Sequence, residues 1–159
     1  MNKSDLLREA KQFRKAIEKA RDADEFAPKD FKPEQMNEFP NECCDDTADL
    51  FTHYLFHKFG IDSIRVDGSF YDDVLEITRG HSWQVIDGWV IDLTGDQFDK
   101  DPAILIKGPA VYVGRKGRFH QQFDIKRTKN SCGIECLGDG CKDRMYWLYN
   151  TIMKYLEES

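Results

Sequence analysis

GHSWQVIDGWVIDLT, residues 80–94, holds an Asp87-Gly88 pair between two runs of strand-forming residues. Both central positions of a type I′ turn need positive φ, and Asp-Gly supplies them, so the stretch predicts a two-residue β-hairpin. In that register Ile86 pairs with Trp89, Trp83 with Asp92, and His81 with Thr94. Side chains alternate between faces along a strand, so His81, Trp83, Asp92 and Thr94 share one face. His81 and Asp92 are then diagonal neighbours, and a register slip of one residue would separate them. A carboxylate beside an imidazole fixes the ring's tautomer and stabilises its protonated form, the orienting role in a catalytic triad. The bland alternative is a solvated histidine and a solvated aspartate at two strand ends.

Outward from the hairpin, strands are expected at Ile61–Val66, at Ser69–Ile77 as a strand or loop, and more weakly at Ala110–Val113 and Phe119–Lys126. Helical spacing of apolar residues marks an N-terminal helix within residues 1–24, capped by Ser4, with Leu6, Ala10, Phe13 and Ile17 on one stripe. A second helix runs from Asn41 to Phe59 and ends at Gly60 as its C-cap. A third runs from Lys142 to Glu157. The proline-bearing stretch Glu25–Pro40, with Pro28, Pro33 and Pro40, reads as an irregular connector. Tight turns between strands favour antiparallel pairing, so the expected class is α+β in a single domain, residues 1–159.

The chain's 159 residues are enough for one compact core. With 33% charged residues, 13% aromatics and a mean hydropathy of −0.64, it is neither disordered nor membrane-spanning in composition. MNKSDLLREAKQF lacks the apolar core of a signal peptide, so a cytoplasmic setting is expected. A net charge of −6 argues against general nucleic-acid affinity, and no membrane partner is expected. The charge is uneven: Lys107–Lys129 carries seven basic residues and one acidic residue, Asp124. That segment reads as a solvated face or, less commonly, as a docking surface for an acidic partner. Five cysteines, an odd number, argue against a secreted disulfide framework. Cys132, Cys136 and Cys141 are either free thiols, a local disulfide, or, with His120, a Cys3His zinc set whose C-x3-C-x4-C spacing lacks the usual close knuckle.

Cys44, in NECCDDTADLF, falls in the first turn of the second helix. The helix dipole there favours a thiolate, and a protonated His81 favours it further. Backbone N–H groups at the same helix end, with Asn41, are candidates to hold a developing oxyanion. Asp45, Asp46 and Glu42 oppose the thiolate, although carboxylates at a helix start need no functional explanation. Cys43 points about 100° away from Cys44 on the helix, so only one of the pair faces the sheet. A small buried residue is the commoner fate of a free cysteine.

Together these residues resemble the transglutaminase-like branch of the papain-like cysteine enzymes. Cys44 with Ala48, Leu50-Phe51 and Gly60-Ile61 is similar to the family's nucleophile helix. His81-Ser82-Trp83 resembles its His-x-Trp strand, and Gly88-Trp89 through Asp92-Leu93-Thr94 resembles its Gly-Trp-x-x-Asp-Pro-Thr strand, with Leu93 in place of the proline. The resemblance covers Asn41 to Phe98. It implies a papain-like (transglutaminase-core) fold, with the nucleophile helix packed on an antiparallel sheet and extra N- and C-terminal helices. It implies a Cys44–His81–Asp92 triad forming a thioester from an amide or ester; beside it, Asn41 is a candidate for the oxyanion hole, Trp83 either walls the cleft or packs in the core, and no metal or cofactor is expected. Family activities include proteolysis, deamidation and transglutamination on peptide or protein substrates. The alternative is an inactive binding module on the same fold.

Overall fold

The computed structural model describes residues 1–27 and 34–157. Pro28 and Pro33 of the expected connector lie outside the described residues. Three α-helices and a five-stranded antiparallel sheet make the α+β class.

Helix α1 spans Lys3–Asp22. Asn2 rather than Ser4 caps it: the Asn2 carboxamide oxygen accepts the Asp5 N–H at 2.8 Å. Helix α2 spans Cys44–Phe59 and starts three residues later than expected. Glu42, with φ +55°, breaks helical geometry just before it, so Asn41–Cys43 form the approach to the helix. Gly60, at φ +69°, ends it in the left-handed conformation that residues with a Cβ adopt reluctantly. Helix α3 spans Asp139–Glu157.

The strands are β1 (Ser63–Asp72), β2 (Ile77–Ile86), β3 (Trp89–Asp92), β4 (Tyr112–Gly114) and β5 (Asp124–Ser131), in spatial order β4-β3-β2-β1-β5. The β2–β3 ladder has the expected register, with Ile86 opposite Trp89, Val85 opposite Val90 and Gln84 opposite Ile91. Asp87 and Gly88 both take positive φ. The expected break between Val66 and Ser69 is absent. Asp67-Gly68 continues through β1, and the irregularity appears only as a register shift in its pairing with β5. Gly68 has a packing reason: a Cβ there would stand 2.9 Å from Phe123 Cβ and 3.1 Å from the Trp83 ring. The last strand begins later than expected, because 119–123 forms a turn around His120 before β5 starts.

Two apolar cores lie on opposite faces of the sheet. Ile86 and Ile91 belong to the larger one, built with α1, α2 and α3 through residues such as Phe13, Phe51 and Leu148. Trp83 and Val90, of opposite parity, belong to the smaller one with Phe98, Phe119 and Phe123. His81 and Asp92 share parity with Trp83 and Val90, so they stand over the smaller, aromatic core.

Candidate active site

Strand β3 stops at Asp92 while β2 extends beyond it, and this leaves the His81 stretch of β2 without a neighbour on that side. The 3-10 turn Gly95–Phe98 fills part of the gap, and the first turn of α2 closes on the rest, with Cys44, Thr47 and Ala48 adjoining Trp83 and Asp92. Arg14 anchors the chain just past β3. Its guanidinium donates to both Asp96 carboxylate oxygens at 2.8 Å and to the carbonyls of Leu93 and Ala110.

His81 Nε2 lies 2.6 Å from Asp92 Oδ2, and both residues are buried. His81 Nδ1 faces the other way, 2.9 Å from the Gln97 carboxamide nitrogen. Cys44 is half-buried at the start of α2, and it lines the same cleft as His81. Burial alone would lower the His81 pKa, but the Asp92 charge and hydrogen bond, then the Cys44 contact, draw it up to about 9. Burial would raise the Asp92 pKa, but the charge of His81 and hydrogen bonds from His120 and His81 hold it well below the usual carboxylate range. Asp92 Oδ1 also accepts the Thr94 backbone N–H at 3.0 Å. Asp92 is therefore a fixed acceptor in a nearly dry setting, strong enough to hold one imidazole orientation.

The structure places Cys43 in the larger core, where burial pushes its thiol pKa up. Cys44 instead lines an open cleft of ≈ 480 Å³ beside His81. Three ion pairs shape the cleft wall: Arg65 meets Asp49 at 2.7 Å and Asp67 at 3.0 Å, and Arg79 meets Asp101 at 2.9 Å. The acidic residues at the α2 start are partly diverted, since Asp46 accepts from Arg144 at 2.7 Å. The two residues expected toward substrate are not brought to the cleft. Asn41 is exposed outside it, and Glu42 lines it instead. Trp83 is only 2% exposed and packs against His81, His120 and Phe123.

Two residues of the site were missed from sequence. Gln97 sits in the unfamiliar run after Thr94. His120 had been grouped with the cysteines, yet its Nε2 lies 2.6 Å from the same Asp92 oxygen that holds His81. The available signal was its place between Phe119 and Phe123, an aromatic pair spaced for a buried turn. The proposed zinc set is thereby divided: Cys132 and Cys136 form a local disulfide, and Cys141 is a free, exposed thiol. His81, Asp92 and His120 offer three potential ligand atoms within 4.8 Å of one another. The 2.6 Å separations are charge-assisted hydrogen-bond lengths, so each Nε2 is engaged as an N–H donor to Asp92 rather than as a lone-pair ligand.

Among the described residues no helix is long and apolar enough to cross a membrane. No family model matches the chain, and neither the curated proteins nor the solved structures contain a significant match.

Proposed function

We propose that this protein is a cysteine-dependent amide hydrolase or acyl transferase with a papain-like arrangement of the transglutaminase type. One observation carries the reading: Asp92 occupies His81 Nε2, and Nδ1, with Gln97 beside it, belongs to the open cleft that Cys44 also lines. In the proposed reaction, His81 Nδ1 takes the Cys44 proton and the thiolate attacks a carbonyl carbon. The tetrahedral intermediate collapses to a thioester, and His81 returns the proton to the leaving amine. Water then attacks the thioester in hydrolysis, or an amine attacks it in transfer, with His81 again accepting the proton. Asp92 stays ionised throughout. The Cys44 backbone N–H, at the α2 N-terminus, is the proposed donor to the oxyanion. A peptide segment of a protein suits the cleft, which is lined by the stretch of β2 that β3 leaves unpaired.

Iodoacetamide labelling across pH tests the reading, with the modified cysteine mapped by mass spectrometry. Cys44 should react in preference to Cys43 and Cys141, and His81→Ala should slow it by about tenfold or more near neutral pH. Slow, uniform labelling with Cys44 protected would falsify the activated-thiol reading.

A further inference from the structure

Gln97 holds a position that the triad alone does not require. Its Oε1 faces the backbone N–H of Glu42 at 3.3 Å, and its Nε2 faces His81 Nδ1 at 2.9 Å. A backbone N–H can only donate, so the oxygen of the carboxamide belongs on the Glu42 side. The –NH2 end then faces His81 and donates, so Nδ1 must accept. His81 is thereby specified as the neutral Nε2–H tautomer, with Nε2–H donated to Asp92. Amide and tautomer are each deduced from a group that has no choice.

We propose that Gln97 is a positioning residue that sets the His81 tautomer and holds its Nδ1 lone pair until a proton arrives from Cys44. The inference rests on the triad reading and adds a control to it. Once Nδ1 carries a proton, the Gln97 –NH2 can no longer donate there. The carboxamide must then turn, so that Oε1 accepts from Nδ1–H, or swing out into the cleft that it lines. Either movement releases the Glu42 N–H. Glu42 also lines the cleft, and its φ of +55° is a conformation that a residue with a Cβ adopts at a cost. Proton transfer to His81 is in this way mechanically linked to the segment that leads into the nucleophile.

His81 feels opposing influences from its two edges. Asp92 on β3 favours the imidazolium, with His120 sharing the same carboxylate oxygen, and Cys44 on α2 favours it when ionised. Gln97 favours the neutral ring. The other charged groups around the cleft are Glu42 and Asp45 near the thiol, the Arg65–Asp67 pair on β1, and the Arg79–Asp101 pair. None of these changes in the variants below.

The test is the His81 titration read by 15N NMR, in wild type, Gln97→Met and Gln97→Glu. In wild type the neutral form should carry its proton on Nε2. Gln97→Met keeps the side-chain length but removes the donor, so the His81 midpoint should rise by about one pH unit, the size of one hydrogen bond. Gln97→Glu replaces the donor with a charged acceptor and should raise the midpoint further. A role confined to packing would not produce two graded shifts in the same direction. A neutral His81 protonated on Nδ1, or a midpoint in Gln97→Met that stays or falls, overturns the proposal. The two readings fail separately. If His81→Ala slows Cys44 labelling while Gln97→Met leaves the His81 midpoint in place, the triad stands and the Gln97 role falls. If His81→Ala leaves Cys44 labelling unchanged, the triad falls and the control falls with it.

Discussion

Asp92 is the residue on which the site turns, because a single carboxylate serves two imidazoles and a backbone N–H. Its pKa is depressed in the folded protein, so it contributes stability above its unfolded value of 3.8, and that contribution is lost as pH falls below it. Wild type should therefore lose stability more steeply than Asp92→Asn as pH is lowered below about 4. Parallel urea melts of the two proteins against pH would show it, and equal slopes would contradict the assignment. His120 supplies the second donor and is buried, while its own Nδ1 has no hydrogen-bond partner among the described residues. His120→Ala removes a donor to a buried charge and opens a cavity, a loss of about 2–4 kcal/mol. Denaturant melts should register that loss, and Cys44 labelling should slow because Asp92 is less firmly held. The triad positions were legible because an Asp-Gly turn fixes register, and register fixes which side chains meet. His120 and Gln97 were not, since each reaches the site through an irregular turn that carries no periodicity for a sequence reading to follow.

At the scale of elements, the site depends on where β3 ends. Three residues of β3, Trp89 to Ile91, pair with β2, and after Asp92 the chain leaves the sheet to form the turn that carries Gln97. Arg14, on α1, holds that departure through Asp96 and two carbonyl groups, and its side chain is 8% exposed. Removing one partner of a buried ion pair leaves the other uncompensated, so Arg14→Met should cost about 3–5 kcal/mol. If the departure from the sheet positions Gln97 and Asp92, the same variant should slow Cys44 labelling at temperatures well below its melting point. Normal labelling in a destabilised Arg14→Met protein would limit Arg14 to a structural role. The helices and the hairpin were readable from their spacing and turn residues. The joined strand β1 was not, because Gly68 looks like a breaker in sequence. Its reason for being glycine is the approach of Phe123 and Trp83, which only the tertiary packing reveals.

For the molecule as a whole, the two cores divide the labour of the proposed site. The nucleophile rides on α2, whose length packs into the helical core, while His81 is enclosed by rings of the aromatic core on the other face, including Phe98, Phe119 and Phe123. Much of that second core comes from the irregular chain between β3 and β5, which has fewer regular backbone hydrogen bonds to hold it. Damage to either core lowers global stability, but only damage to the aromatic core disturbs the histidine directly. Phe123→Ala and Leu148→Ala both truncate buried side chains and should cost about 3–5 and about 2–5 kcal/mol respectively. Measured well below both melting temperatures, Phe123→Ala should slow Cys44 labelling and shift the His81 titration. Leu148→Ala, on α3 and away from the rings, should leave both near wild type. If the two variants lose labelling in proportion to their lost stability, the site responds to the whole fold as one cooperative unit. Loss confined to Phe123→Ala places its control in the smaller core.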